Sequence, residues 1–220
     1  MSEQSNAIKG PHQGQPLLTA GKPLERAQAA MVMLHGRGAS AENILELTEE
    51  LNAPGFAYLA PQAANNTWYP YSFLVPIERN EPGLSSGLAV IASILAQIEQ
   101  IGIPLERTML LGFSQGACLM LEFVARNARR YGGVAGLSGG LIGPDGTPRN
   151  YPGSLEGTPV FLGCSDIDPH VPKERVELTA HVLQQMGGNV TMRLYRRMGH
   201  TVNQDEIEAV QRMMGALVAF

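Results

Sequence analysis

A single serine stands between two glycines in the stretch "GFSQG", where Gly112 precedes Ser114 by two residues and Gly116 follows it by two. An apolar run, "RTMLLGF", leads into the serine, and a helix-like run, "ACLMLEF", leads away from it. A G-x-S-x-G sequence between a strand and a helix is typical of a sharp turn that presents a serine hydroxyl as a nucleophile, since side chains at the glycine positions would collide with neighbouring backbone. The alternative is an ordinary Gly-Ser turn.

A serine nucleophile needs a histidine to take its proton and a carboxylate to orient that histidine. One buried-type strand, "TPVFLGC", runs into a loop with Asp166 and Asp168, and another, "VTMRLYRR", precedes a loop with His200. Because the carboxyl ends of parallel strands meet at one edge of a sheet, these loops can converge on Ser114. Pro169 favours Asp168 as the acid, since a residue before proline is held extended, and Asp166 is expected to bond the amides of its own loop.

The remaining histidines are weaker candidates for the base. His12 lies in the polar N-terminal segment and His181 on a predicted helix, so both are expected at the surface. His170 follows Asp168 by two residues and is expected to shape or line that loop.

The stretch "MVMLHGRGAS" places a strand before a His-Gly pair at His35. In esterases such a loop donates one backbone N–H of an oxyanion hole, and the residue after the nucleophile donates the other. This pattern predicts that the amides of Arg37 and Gln115 are the two donors. The alternative is a strand-to-helix loop with glycine caps.

The segments that must position these residues alternate between strand-like apolar runs and helical spacing of apolar residues. Six nearly continuous apolar runs predict strands buried on both faces, at residues 29–36, 56–62, 107–113, 132–139, 158–166 and 190–197. Helical spacing predicts helices that include Leu84 to Ile98, Val176 to Leu183 and Ile207 to Leu217, besides one after Ser114. The series predicts one α/β domain over residues 16–220, after a polar tail at residues 1–15. Residues 141–159, rich in Gly and Pro, are expected to form an excursion over the surface.

Composition limits the classes of partner. The chain has 220 residues, of which 44% are hydrophobic, and 16 basic against 20 acidic residues give a net charge of -4. With no basic tract, nucleic acid is not an expected partner. No apolar run approaches the roughly 20 residues of a membrane span, so a cytoplasmic protein without stable membrane insertion is expected. Cys118 and Cys164 lie in apolar segments and are expected to be buried thiols, with no metal site.

Four stretches, "LHGRGAS", "GFSQGA", "SDIDPHVP" and "MGH", together resemble the phospholipase/carboxylesterase family, which includes the acyl-protein thioesterases. The resemblance covers the chain from about Met31 to its end. It implies the α/β-hydrolase fold, with a mostly parallel central sheet and helices on both faces. No large cap domain is expected, because residues 71–83 and 141–159 are each too short to form one. The resemblance also implies a triad of Ser114, Asp168 and His200, because the acid of the D-P-x-V-P element falls on Asp168. No metal or organic cofactor is implied.

Two stretches depart from the family pattern. The position after His-Gly is often apolar in the family, whereas here it is Arg37, whose guanidinium could attract an anionic substrate or point into solvent. Residues 65–87 differ from the eukaryotic thioesterases and resemble a bacterial-type branch of carboxylesterases. Aromatic residues there could line an acyl or aryl pocket together with His35, or pack onto the sheet edge. These residues are Trp68, Tyr69, Tyr71 and Phe73.

The function that the sequence favours is a serine carboxylesterase acting on short- to medium-chain esters, with a small-molecule ester as its partner. Acyl-protein thioesterase or lysophospholipase activity is the alternative, because leaving-group preference lies in the pocket rather than in the triad. A binding protein of the hydrolase fold is the alternative outside enzymes. It is disfavoured because all three triad positions are filled. The sequence leaves the natural substrate and the oligomeric state open.

Overall fold

A computed structural model describes residues 10–218 of the chain. Its strands are β1 (Leu17–Gly21), β2 (Ala29–Leu34), β3 (Phe56–Pro61), β4 (Thr108–Phe113), β5 (Gly133–Leu137), β6 (Pro159–Ser165) and β7 (Asn189–Tyr195). They form one sheet in the order β1-β3-β2-β4-β5-β6-β7. Only β1 is antiparallel to its neighbour, and the other pairs are parallel. The predicted mostly parallel sheet is confirmed.

Helices cover both faces of the sheet. They are α1 (Ala41–Leu45), α2 (Leu47–Leu51), α3 (Gly83–Ile101), α4 (Gln115–Arg126), α5 (Lys173–Gln185) and α6 (Gln204–Gly215). Alternate residues of β2 enter two separate cores: Val32 and Leu34 pack with α3, α4 and α5, while Met31 and Met33 pack with α1, α2 and α6. Within residues 10–218 no insertion forms a separate cap, as the lengths of residues 71–83 and 141–159 predicted.

The edge strand β1 was not predicted from the sequence. Its five residues are only half-buried or exposed, and it pairs with β3 alone, from Leu17 opposite Pro61 to Gly21 opposite Ala57. A short edge strand has neither the continuous apolar run of a central parallel strand nor a clean alternation, so its periodicity is weak.

Helix α3 is the one helix in the described part of the chain that is long and apolar enough, by length and composition alone, to cross a bilayer. Its mean hydropathy is 1.4 over the most apolar window. One face of it packs in the core through Leu84, Ile91, Leu95 and Ile98. A core helix passes the same test, so the expected lack of stable membrane insertion stays a prediction.

The predicted tail, residues 1–15, is described only from Gly10 onward, and its first nine residues lie outside the described part. The surface position predicted for His12 is wrong, because this residue is 3% exposed. Its amide donates to Ser86 Oγ at 3.0 Å, and its Nε2 donates to the Trp68 carbonyl at 2.8 Å. Burial lowers the pKa of His12, so the ring packs as a neutral imidazole. The domain division at residue 15 stays a prediction.

The segment 141–159 does not simply run over the surface, as the sequence suggested. Three of its hydrophobic side chains are fully buried, namely Leu141, Ile142 and Leu155. Buried Arg175 of α5 donates to the carbonyls of Leu141 and Gly143 at 2.9 and 2.6 Å. The Gly143 amide donates in turn to the Phe73 carbonyl at 2.8 Å. The segment thus supports residues near the carboxyl ends of the strands.

Candidate active site

The turn between β4 and α4 forces Ser114 into a rare backbone conformation. Its φ is 54° and its ψ is -120°, a region that non-glycine residues seldom adopt and that tends to persist at functional sites. Its amide donates to the Leu137 carbonyl of β5 at 2.9 Å. This arrangement holds the serine at the carboxyl edge of the sheet, directly before the first turn of α4.

The backbone around Ser114 leaves no room for a side chain at Gly112 or Gly116. A Cβ on Gly112 would lie 2.6 Å from the Gly116 carbonyl oxygen and 2.7 Å from the Ala117 backbone. A Cβ on Gly116 would overlap the carbonyls of Leu34 and His35 at the end of β2. Backbone atoms cannot move away cheaply, so any side chain at either position would displace the turn.

The loops after β4, β6 and β7 bring three polar side chains into one hydrogen-bonded chain. His200 Nε2 lies 2.8 Å from Ser114 Oγ, and His200 Nδ1 lies 2.7 Å from Asp168 Oδ2. Because a carboxylate can only accept a hydrogen bond, His200 Nδ1 carries the ring proton and donates it to Asp168. His200 Nε2 is then free to accept the proton of Ser114. The Asp168 carboxylate is fully buried, whereas the His200 side chain is 19% exposed.

The buried carboxylate of Asp168 is held by donors on both oxygens. Its Oδ1 accepts from the amides of His170 at 2.8 Å and Val171 at 3.0 Å. The Cys164 thiol lies 3.8 Å from Oδ2. Burial alone raises the pKa of Asp168, but the hydrogen bonds from His200 and the two amides outweigh burial and keep this pKa below its ordinary value. Asp168 is therefore ionised and fixed in orientation.

Asp166, the other acid of this loop, points elsewhere. The expectation that it bonds the amides of its own loop is wrong, since its Oδ1 accepts from the Arg197 amide at 2.8 Å. Arg197 belongs to the loop that carries His200 and has a φ of 53°. Asp166 therefore ties the acid loop to the histidine loop without contacting the imidazole.

The amides of Arg37 and Gln115, the predicted oxyanion donors, belong to segments that adjoin Ser114. A Cβ on the neighbouring Gly36 would lie 3.4 Å from Ser114 Cβ, which shows how closely the Arg37 loop approaches. Within residues 10–218 the Arg37 amide has no acceptor. Gln115 is the first residue of α4, where amides lack an intrahelical acceptor.

The side chain of Arg37 does not point freely into solvent. Its Nη1 donates to Thr67 Oγ1 at 3.1 Å and to the Pro70 carbonyl at 2.9 Å, and its Nη2 donates to the Tyr71 carbonyl at 2.6 Å. We call residues 67–73 the aromatic loop. The guanidinium fastens this loop to the end of β2.

The side chain of Gln115 also binds the aromatic loop. Its Oε1 accepts from the Trp68 amide at 2.8 Å and from Thr67 Oγ1 at 3.2 Å, and its Nε2 donates to the Tyr69 carbonyl at 2.8 Å. Sequence reasoning missed these roles of Arg37 and Gln115. Most of the bonds go to backbone atoms more than thirty residues away, and residue types do not indicate such partners.

A cavity of about 550 Å³ opens beside Ser114. Three aromatic residues predicted to line a pocket do so, namely Tyr69, Tyr71 and Phe73. The rest of the lining comes from Arg37, Pro70, Ser72, Ser114, Gln115, Cys118, His170, Val171 and His200. The lining is mixed and combines aromatic rings with the Ser114 hydroxyl and two imidazoles.

His35 and Trp68 were predicted to line this pocket, and that prediction is wrong. Both are 0% exposed and lie beneath the loops. The His35 ring donates from Nδ1 to the Gly36 carbonyl at 2.8 Å and accepts at Nε2 from the Ala63 amide at 3.1 Å. Trp68 Nε1 donates to the His35 carbonyl at 2.9 Å. Burial lowers the pKa of His35, so this ring supports the structure as a neutral group.

No metal site is evident in the part of the chain that the structure describes, because no three His, Cys, Asp or Glu side chains come together there. Both cysteines are buried and unpaired with each other, as predicted. Burial raises the pKa of each thiol to about 12. Neither thiol is therefore a nucleophile at neutral pH.

Comparison with known proteins shows the family of the chain. The family described as Phospholipase/Carboxylesterase matches residues 19–217. The chain belongs to this family. Phospholipase/carboxylesterases are hydrolases of the esterase and thioesterase class, so the chain is a serine hydrolase with the α/β-hydrolase fold. Membership in the family argues against the binding-protein alternative.

Proteins similar to the chain are named as thioesterases, carboxylesterases and esterases. Acyl-protein thioesterase 1 of Candida albicans is 26% identical over 87% of this chain and 93% of its own length. The crystal structure of a phospholipase/carboxylesterase from Dyadobacter fermentans superposes with a TM-score of 0.89 at 44% identity, covering 95% of this chain and 99% of that one. Esterase PE8 superposes at 0.72 with 23% identity, covering 93% of this chain and 98% of its own, and shows the common fold.

Proposed function

We propose that the protein is a serine carboxylesterase that hydrolyses short- to medium-chain carboxylic esters through Ser114, His200 and Asp168. The observation that carries the proposal is the continuous hydrogen-bonded chain from Ser114 Oγ through the His200 ring to the buried Asp168 carboxylate. A serine hydroxyl becomes a nucleophile when a histidine of the correct tautomer accepts its proton, and Asp168 holds that tautomer.

In the acylation half of the reaction, Ser114 Oγ attacks the ester carbonyl while its proton passes to His200 Nε2. The electron pair of the carbonyl moves to its oxygen, and the amides of Arg37 and Gln115 stabilise that oxyanion. When the tetrahedral species collapses, the C–O bond to the alcohol breaks and the leaving oxygen takes the proton from His200. The products are the free alcohol and an acyl-serine.

In the deacylation half, water attacks the acyl-serine carbonyl and gives its proton to His200 Nε2. Collapse of the second tetrahedral species breaks the bond to Ser114 Oγ, which recovers the proton. The acid leaves, and the resting hydrogen bonds of the triad are restored. Asp168 stays ionised throughout and stabilises the imidazolium that forms in each half.

The size and lining of the cavity support short and medium acyl groups. A volume of about 550 Å³ suits a small ligand. The described part of the chain has no cap that would extend an apolar groove over the site. Thioesterase or lysophospholipase activity of the same site is the second candidate. It is favoured by the similarity to the Candida albicans thioesterase and by the family description.

Labelling with a fluorophosphonate probe tests the nucleophile. We expect the wild type to gain one adduct on Ser114, located by mass spectrometry of its peptides. Ser114→Ala should bind no probe and lose activity by about four to six orders of magnitude in kcat. Ser93→Ala, which changes an exposed serine of α3, is the matched control and should behave as the wild type. Near-normal activity in a folded Ser114→Ala protein would refute the assignment.

A panel of p-nitrophenyl esters from acetate to palmitate tests the substrate class. It should be run beside a lysophospholipid and an acyl-CoA thioester. We expect kcat/KM to peak at short or medium chains and to fall towards palmitate. A value that keeps rising through palmitate, or a preference for the thioester or the lysophospholipid, would favour the second candidate instead.

A further inference from the structure

The cavity beside Ser114 is lined by cationic and neutral groups and by no carboxylate. Arg37 is the one permanently charged side chain among its lining residues, and none of them is Asp or Glu. The nearest acid of the machinery, Asp168, is buried and already accepts from His200 and two amides. The chain as a whole carries a net charge of -4. The charge in the cavity wall is thus opposite in sign to the net charge of the molecule.

The charge of Arg37 is fixed in place without being neutralised. Its three acceptors are one hydroxyl and two backbone carbonyls, all of them uncharged. Among the described residues no Asp or Glu forms an ion pair with it, whereas Arg126 and Arg149 pair with Glu122. A guanidinium has five N–H donors, so two remain after these three bonds. Arg37 is exposed and can present those donors to a ligand.

A second guanidinium lies over the same aromatic loop. Arg79 stacks on the Tyr71 ring, with its Cζ 4.6 Å from the ring centroid, and Arg37 lies 5.8 Å from the centroid of Tyr69. Tyr69 and Tyr71 both line the cavity. Arg79, like Arg37, forms no ion pair with any described residue. Two guanidinium groups without a carboxylate partner among the described residues thus lie against one loop of the cavity wall, which favours the approach of an anion.

We infer that the substrate carries an anionic group, a carboxylate or a phosphate, in addition to its scissile ester, and that the Arg37 guanidinium binds this group. The inference rests on the ester hydrolysis proposed at Ser114. Bonds to neutral acceptors hold the guanidinium rigid, so little conformational entropy is lost when an anion binds. Arg37 then serves the reaction twice, through its amide at the oxyanion and through its side chain at the anion.

Matched substrate pairs that differ in one charge test the inference. On the acyl side, mono-p-nitrophenyl glutarate is compared with p-nitrophenyl valerate. On the alcohol side, 4-acetoxybenzoate is compared with its methyl ester. In each pair both members meet the same Ser114 and the same oxyanion amides. The change in the ratio of kcat/KM, anionic over neutral, between the wild type and an Arg37 variant isolates recognition of the anion, because the intrinsic reactivities of the two esters cancel in that comparison. The pair with the larger change shows which side of the ester carries the anion.

We expect at least one ratio to exceed unity in the wild type and to fall by about tenfold in Arg37→Met, the scale of one charge pair at a partly exposed rim. Arg37→Lys, which keeps the charge and loses the fork of donors, should retain part of the preference. Added salt should lower kcat/KM for the anionic ester only. Arg212→Met, on α6, is the matched control and should leave both ratios unchanged.

Ratios that stay the same in a folded Arg37→Met protein would overturn the inference while leaving ester hydrolysis at Ser114 intact. Absence of turnover on every ester, together with no labelling of Ser114, would instead overturn the proposed function and the inference with it. If Arg37→Met does not fold, the ratios of the wild type and their dependence on salt test the inference. Ratios at or below unity that do not respond to salt would then refute anion recognition.

Discussion

The buried carboxyl of Glu206 should make the protein less stable as the pH rises. Glu206 lies in the first turn of α6 and is 0% exposed. Its Oε2 accepts from the Asn203 amide at 2.9 Å, while its Oε1 packs over Gly163 of β6 and has no hydrogen-bond partner in the described structure. Burial raises the pKa of Glu206 from 4.5 to about 7, against the opposing hydrogen bond from Asn203.

The size and sign of the effect follow from proton linkage. In the unfolded chain Glu206 titrates near 4.5, so between 4.5 and about 7 the native state binds more protons than the unfolded state. The free energy of unfolding therefore falls as the pH rises through this window, and it levels off above it. Each tenfold change in proton affinity corresponds to about 1.4 kcal/mol, so the full loss is about 3 kcal/mol.

Glu206→Gln removes the charge at every pH and keeps an oxygen for the Asn203 amide. We expect it to raise the free energy of unfolding by about 2 kcal/mol at about pH 8 and to change it little at about pH 5. The gain is smaller than the full loss because the new amide nitrogen, like Oε1, has no partner in the folded protein. Glu208→Gln, at a side chain that is 50% exposed on the same helix, is the matched control and should show no such gain.

Urea unfolding at the two pH values measures both free energies. The single tryptophan, Trp68, is fully buried, so its fluorescence reports the loss of the native state. Between the two pH values, the free energy of unfolding should change by about 2 to 3 kcal/mol less in Glu206→Gln than in the wild type. Equal pH dependence in wild type and Glu206→Gln would refute the reasoning, since it would mean that Glu206 keeps an ordinary pKa in the folded protein.

Two further predictions concern the site itself. Asp168→Asn should lower kcat by about four orders of magnitude because an amide favours the wrong tautomer of the histidine. Asp166→Asn, which keeps an oxygen for the Arg197 amide, should stay near wild type; the opposite order, with circular dichroism showing both folded, would mean that the acid is misassigned. Gln115→Ala leaves the Trp68 amide without a partner and the Tyr69 carbonyl with only the Thr67 hydroxyl, so it should lower the free energy of unfolding by about 1 to 3 kcal/mol and raise KM. Gln211→Ala, which removes an exposed bond to the Glu50 carbonyl, should change the free energy by less than about 0.5 kcal/mol; equal losses in the two variants would argue against the loop role of Gln115.

Local patterns in the sequence were enough to predict the sheet and the loops that carry the triad candidates. Central strands such as β2 and β4 are buried on both faces, so their apolar runs are continuous and easily recognised. The spacing around Ser114 is also local, because backbone within five residues, together with the end of β2, leaves no room for side chains at Gly112 and Gly116. Apolar runs do not predict β1, because its residues are half-buried or exposed at the edge of the sheet.

Only the tertiary structure decided which side chains face the cavity and what the polar residues bind. His35 and Trp68 lie in the stretches that were predicted to line the pocket, yet both are buried beneath the loops. His12 is also buried, although it belongs to a segment whose polar composition predicts a tail. Arg37, Gln115 and Asp166 bond mainly to backbone atoms far along the chain. Every residue carries a backbone amide or carbonyl, so a sequence cannot indicate which of them a distant side chain will meet. That choice is made when the strands are placed side by side and their loops converge at one edge of the sheet.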